Sequence, residues 1–288
     1  MTRDQFYVGG NGRPVLYPSF FALVDVLGFC ERTKQAHRDG AEGELLQALA
    51  AALCEERLSV DSKAFAAALS GNEDDRLWWH KFFTDNLVLA YPLRHAYTEG
   101  ELELGSLMMQ VARYQCAMSR RGFFVRGAFS YGEVHIGEDI VFGAPLVEAH
   151  ELERDHAKWP RILVSDGVMD WVSCHATRFR TTEGSPQNHE VVFDEDGKPF
   201  LNYLGATQPD YFAIFWDRIQ QHRDVVTTAM ADESMDGDVV EKLRWAARYH
   251  NWFCGTVACH EGYAADLLIA DVEAAAIRRL SDTPRLQG

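Results

Sequence analysis

Two aspartates interrupt apolar runs in this chain, and they restrict its fold more than any other feature. Asp25 lies in Phe21-Ala22-Leu23-Val24-Asp25-Val26-Leu27-Gly28-Phe29, and Asp85 lies in Phe82-Phe83-Thr84-Asp85-Asn86-Leu87-Val88-Leu89-Ala90. Apolar runs of this kind read as strands buried on both faces. A carboxylate in such a strand is costly unless it is paired or holds a cation. Two of them, each at the carboxyl end of a core strand, are what a two-metal site needs. Mg²⁺ or Mn²⁺ takes hard oxygen ligands, and two ions about 3.5–4 Å apart stabilise both the attacking and the leaving oxygen in phosphoryl transfer. Taken singly, either Asp reads equally well as the cap of the helix or turn that follows.

The 288 residues are enough for one large domain or two small ones, and 47% hydrophobic content supports a sizeable core. A formal net charge of −15 argues against a nucleic-acid partner, which calls for a basic stripe. An anionic substrate would need a locally positive site. Six scattered cysteines without a CxxC read as free thiols in a reducing compartment. Cys254, Cys259 and His260 have no strong zinc spacing. The start, Met1-Thr2-Arg3-Asp4-Gln5, lacks the apolar segment of a secretion signal. No stretch approaches the ~18 consecutive apolar residues of a membrane span. A soluble cytoplasmic protein with no membrane partner is expected.

Along the chain, Gly9-Gly10-Asn11-Gly12-Arg13-Pro14 reads as a loop, because no strand precedes it. A strand ending near Val26 follows, and Gly28-Phe29 opens a helix. Residues 44–69 have helical period. Residues 77–93 hold two strands with Asp85-Asn86 as the turn pair. Residues 102–121 form a helix with Leu104, Leu107, Met108, Val111 and Tyr114 on one stripe. Residues 123–135 read as two strands joined through Tyr131-Gly132, residues 143–156 as a helix, and 161–164 as a strand. The fold class is therefore α+β, with a ferredoxin-like βαββαβ core and helices on the sheet. Residues 1–18 are an N-terminal segment, 19–165 the core, and 166–288 a strand-plus-helix extension packed on it. Within that extension 181–188 reads as an exposed loop, 194–198 as a turn, 200–204 as a strand, and 211–230 and 239–252 as helices.

The core resembles the class III nucleotide cyclases. Leu23-Val24-Asp25-Val26-Leu27-Gly28-Phe29 is similar to the F-x-D-I-x-G-F signature ending the family's first strand. Asp85 matches the second metal-binding Asp, and Arg126-Gly127-Ala128-Phe129-Ser130-Tyr131-Gly132 loosely matches an R-x-G-x-x-x-G strand. Gly143 through Ala149, Leu152 and Glu153 matches a Gly leading into a helix that ends A-x-x-L-E. The family's transition-state Asn and Arg align with Val147 and Glu151, and its two base-reading positions with Lys81 and Ile140. The Phe83-Thr84-Asp85-Asn86 hairpin, the segment from Asp196 to Leu204, and the helix containing Lys242-Leu243-Arg244-Trp245 and Tyr249-His250-Asn251 look like the bacterial pyrimidine cyclases of Pycsar antiphage systems. The hairpin lacks the Gly-Gly-acidic-acidic-Phe sequence of diguanylate cyclases.

This resemblance implies a lyase that converts UTP to 3′,5′-cyclic UMP and pyrophosphate in antiviral defence. Its 3′-hydroxyl would attack the α-phosphorus, a step governed by positioning and charge neutralisation. Asp25, Asp85 and the Val26 carbonyl would hold two Mn²⁺ or Mg²⁺ ions. The amides of Leu27, Gly28 and Phe29, at a helix N-terminus, together with Arg126 would bind the triphosphate, with Lys81 near the base. Arg113 or Arg120 could replace the missing transition-state Arg, although a solvated helix face is the simpler reading; His150 reads as structural. The implied partners are a second copy of the chain and a separately encoded effector reached by the diffusible product. Cytidylate or purine cyclase activity, or a degenerate nucleotide sensor, are the alternatives.

Overall fold

The computed structural model describes residues 6–60, 79–83, 86–93, 99–137, 139–208, 213–232 and 236–283, with side chains undescribed at 53–60 and 79–83. Strand β1 (Tyr17–Val26) leads through α1 (Phe29–Asp39) and α2 (Glu42–Val60) to the hairpin strands β2 (Trp79–Phe83) and β3 (Asn86–Pro92). Helix α3 (Glu101–Arg120), β4 (Val125–Ile136), β5 (Val141–Gly143), α4 (Ala144–His156) and β6 (Ile162–Val164) follow. The remainder holds α5 (Asp166–Ala176), α6 (Gln187–Glu190), β7 (Val191–Phe193), β8 (Pro199–Leu201), α7 (Trp216–Met230), α8 (Gly237–Val257) and β9 (Arg278–Arg279). The class is α+β, built on one mixed sheet of nine strands among the described residues.

The sheet runs β2-β3-β1-β4-β6-β8-β7-β9, with β5 paired to β4. β1 is antiparallel to both β3 and β4, and β4 is parallel to β6. Residues 20–24 of β1 are buried without a break, which is why its sequence is continuously apolar. Successive side chains serve opposite faces. Phe20, Ala22, Val24 and Val26 join a core with Leu104, Leu107, Met108 and Val111 of α3. Phe21 and Leu23 join the other core, which includes Ala149 of α4.

Four local expectations differ from the structure. Tyr131-Gly132 does not turn: β4 is one 12-residue strand, and the chain reverses only after Ile136, where the Gly137 amide donates to the Ile140 carbonyl (2.9 Å). Gly132 serves close approach instead: a Cβ there would lie 3.2 Å from Pro145 Cγ of α4. Gly127 is tighter still, since its Cβ would lie 2.1 Å from the Leu23 carbonyl oxygen of the neighbouring strand. Asn86 belongs to β3, paired with Phe83, rather than to a turn. The 181–188 stretch is an exposed loop only in part: Thr181, Glu183, Gly184 and Pro186 are exposed. Ser185, Gln187 and Asn188 are buried, and Asn188 accepts the Ser281 amide (2.8 Å). The expected strand at 200–204 is shorter, with a 3₁₀ turn beginning at Tyr203.

Residues beyond 165 extend the same sheet through β8, β7 and β9. β6 and β8 share a single register pair, Leu163 with Phe200. That joint is clamped by side chains. Arg161, 1% exposed, ion-pairs with Asp194 and Asp196 of the β7–β8 turn. Asp194 also accepts from the indole of Trp245 on α8 (2.8 Å). Helix α7 packs on α3, which is buried well beyond its apolar stripe: Glu103, Gln110 and Gln115 are buried, the last donating to the Pro160 carbonyl (3.0 Å). Cys116 and Cys254 are buried, while Cys30, Cys174 and Cys259 are exposed; all five are free thiols. Among the described residues no helix is long and apolar enough to cross a membrane.

Removing the Asp194 carboxylate leaves the buried Arg161 with only the more exposed Asp196. Asp194→Ala is expected to lower stability by about 3–5 kcal/mol, the usual loss when one partner of a buried ion pair is removed. A urea titration with unchanged slope and a lower midpoint reads it.

A second buried polar chain joins α7 to α8. The Leu267 carbonyl can only accept, so His250 Nε2 carries its proton (2.9 Å). Neutral His250 then accepts at Nδ1 from His222 Nδ1–H (3.0 Å), and His222 Nε2 accepts from the Tyr203 hydroxyl (2.9 Å). Burial pushes His250 down to about 4. Burial, with His250 and Arg120 nearby, pushes His222 well below the usual range. The unfolded chain therefore binds more protons below pH 6.5. Stability contributed by these groups is full above pH 6.5 and falls as pH drops towards 4, by about 3 kcal/mol for His250. His250→Gln should flatten the pH dependence of the urea midpoint across that window.

Candidate active site

The site is built where β1 passes into α1. Val26 is the last strand residue, paired with Val125. Gly28 turns the chain with φ of 70°, a left-handed conformation that favours glycine, and no side chain caps the helix that follows. Asp25 is thereby held one tight turn before a helix N-terminus, where the peptide dipoles favour negative charge. One expectation changes. The Leu27 amide donates to the Phe124 carbonyl (2.8 Å), so it is spent within the fold. Of the three amides expected to meet an anion, those of Gly28 and Phe29 remain candidates.

Register supplies the neighbours of Asp25. It lies opposite Asn86 of β3 on one side and Arg126 of β4 on the other. Directly opposed residues in antiparallel strands interact through their side chains. Arg126 Nε donates to Asp25 Oδ2 at 3.4 Å. The same nitrogen lies 2.6 Å from Glu153 Oε1 on α4. Both ends are sheltered: the Asp25 side chain is 19% exposed and that of Glu153 7%. His150 stands at the outer edge, 3.8 Å from Glu153 Oε2. Tyr114 of α3 lies close enough that burial and the Asp25 charge both hold its phenol above the usual range.

The other expected residues are placed as follows. Asp85 lies outside the described residues; its neighbour Asn86 is the residue paired with Asp25. Lys81 occupies β2 opposite Val88, two strands from β1. Ile140 and Val147 are about half exposed, and Glu151 is exposed. Arg120 reaches away from the site to Gln221 of α7 (2.7 Å). Arg113 is partly buried on α3. Cys254 packs against His250, and no group of three metal-ligating side chains occurs among the described residues. An open groove of about 410 Å³ lies elsewhere, between α4 and β6. Glu148, Glu151, Asp155 and Asp166 line it against Lys198 and His156, so it disfavours a polyanion.

Asp25 offers a hard oxygen donor at a sheltered strand end, and the one guanidinium beside it is shared with Glu153. That chemistry fits a divalent cation. Glu153 and Tyr114 carry part of the site and were not singled out by sequence. Glu153 was visible only as the end of a helix motif, and Tyr114 only as a member of an apolar stripe. No protein-family model matches this chain, and no curated protein matches it.

Arg126→Met should leave Glu153 sheltered without its countercharge. The expected loss is about 2 kcal/mol, below the 3–5 of a fully buried pair because Arg126 keeps 29% exposure. Chemical denaturation checks it.

Proposed function

We propose that this protein is a nucleotide cyclase of the class III kind, converting UTP to 3′,5′-cyclic UMP and pyrophosphate. The observation that carries the reading is the register that sets Asp25 between Asn86 and Arg126, at the mouth of an uncapped helix. The strand order β2-β3-β1-β4, all antiparallel, supports a ferredoxin-like core of the kind such enzymes use.

Asp25, the Val26 carbonyl and Asp85 would hold two Mn²⁺ or Mg²⁺ ions. Bound there, the ions would supply acidification of the 3′-hydroxyl and neutralisation of the phosphates. The chain's own part is positioning. Among the described residues the two terminal nitrogens of Arg126 donate to no group, so they are available for a bidentate phosphate contact. The Gly28 and Phe29 amides would add donors from the helix start. Lys81 is left to meet the base, while Ile140 offers no polar group, which favours a pyrimidine over the usual purine pair.

The transition-state positions Val147 and Glu151 carry neither Asn nor Arg, so the missing charge would come from a second copy of the chain. Ile140 and Phe142 on the β4–β5 hairpin and Val147 on α4 expose apolar side chains, which supports self-association. The product would act as a diffusible antiphage signal on a separately encoded effector. The same two substitutions favour a second reading, a nucleotide sensor without turnover.

The experiment incubates the purified chain with Mn²⁺ and each of the four ribonucleoside triphosphates and identifies products by mass. Cyclic UMP from UTP is expected, with Asp25→Asn and Asp85→Asn each lowering the rate by more than about 100-fold. Conversion of ATP or GTP with UTP and CTP inert would overturn the base assignment. Tight triphosphate binding without any product would establish the sensor.

A further inference from the structure

Arg126 is shared between two carboxylates, and the sharing is uneven. Its Nε lies closer to Glu153 Oε1 (2.6 Å) than to Asp25 Oδ2 (3.4 Å). Yet the aligned hydrogen bond goes to Asp25, and Glu153 Oε1 receives none. A sheltered carboxylate oxygen thus sits beside a donor that points past it. Such an oxygen is costly to leave unsatisfied. The guanidinium is poised between an engaged partner and a waiting one.

A divalent cation on Asp25 removes the first partner. The carboxylate cannot serve both charges at once, and the cation repels the guanidinium across a distance of a few ångströms. Without a second seat Arg126 would swing into solvent, being already 29% exposed. Glu153 offers that seat from α4, a helix packed on β4 and β1. With Nε turned onto Glu153, the planar group stays at the site and its terminal nitrogens keep their fork for an anion.

We infer that Glu153 is a positioning residue, the acceptor that takes over Arg126 Nε when a divalent cation occupies Asp25 and so keeps the guanidinium in place for the triphosphate. This rests on the metal-dependent reading above.

The test follows the Arg126 Nε–Hε signal in ¹⁵N-labelled protein, assigned by its loss in Arg126→Lys, with and without Mg²⁺. In the wild-type chain the signal is expected in both states, shifted by Mg²⁺. In Glu153→Gln it should be present without Mg²⁺, held by Asp25, and lost to solvent exchange with Mg²⁺. Glu153→Asp keeps the charge but retracts it by one methylene, and should show a partial loss with Mg²⁺. Should the Gln variant not fold, the Asp variant carries the comparison alone.

Persistence of the signal in Glu153→Gln with Mg²⁺, while the Asp25 backbone amide still moves on Mg²⁺ addition, overturns the inference and leaves the metal site standing. Loss of the signal in that variant even without Mg²⁺ also overturns it, since Glu153 would then merely anchor the arginine. If Mg²⁺ moves neither the Asp25 amide nor the Arg126 signal in the wild-type chain, the metal-dependent reading itself fails, and the inference with it.

Discussion

The buried ion cluster of Arg161 with Asp194 and Asp196 ties together two parts of the chain that also share both apolar cores. The strands around β1 hold each other through long registers. The step from β6 to β8 has one register pair to hold it. A joint so short gains little from backbone hydrogen bonds. It is held also by apolar burial on both faces and by a guanidinium whose place in the core depends on its carboxylate partners. Trp245 then pins Asp194 from α8, and its ring stacks on Tyr249 at 5.5 Å, so the last long helix is fixed to the same point. Tyr249 passes the constraint on by hydrogen bonds with Asn202 (2.7 Å) and the Leu204 amide (2.9 Å).

This joint bears on the candidate site through β4 and β6. The extension holds β6, which is parallel to β4, and β4 presents Arg126 to Asp25. Over that same face, α4 presents Glu153 to the arginine. The site is thus an intersection of three elements, and the carboxylate on β1 is tolerable because β4 brings a guanidinium to it, which Glu153 of α4 shares. The uneven contacts of Arg126 suit a site that exchanges partners more than a static structural pair.

Much of the fold was legible because its signals are local. The stripe of α3 could be read from a 3.6-residue period, and all five stripe residues are buried. The Gly28 turn could be read from the end of an apolar run. The misreadings share a cause. Tyr131-Gly132 looked like a turn because glycine is a turn residue locally, whereas Gly132 makes room for the Pro145 ring of α4 and Gly127 for the Leu23 backbone. The 181–188 stretch looked exposed because it is polar. Asn188 is buried by a partner 93 residues away, Ser281, which no local window contains.

The sequence by itself determined where the carboxylates fall, that Asp25 ends an apolar strand, and that glycine follows to turn the chain into a helix. These depend on covalent order and on the steric preferences of single residues. Only the tertiary structure decided that Arg126 stands opposite Asp25, that Glu153 joins it from α4, and that the Leu27 amide is already engaged by Phe124. Those facts depend on strand register and helix placement. Register is chosen by the burial of whole faces at once, since a slip of one residue would turn every side chain of a strand to the opposite side.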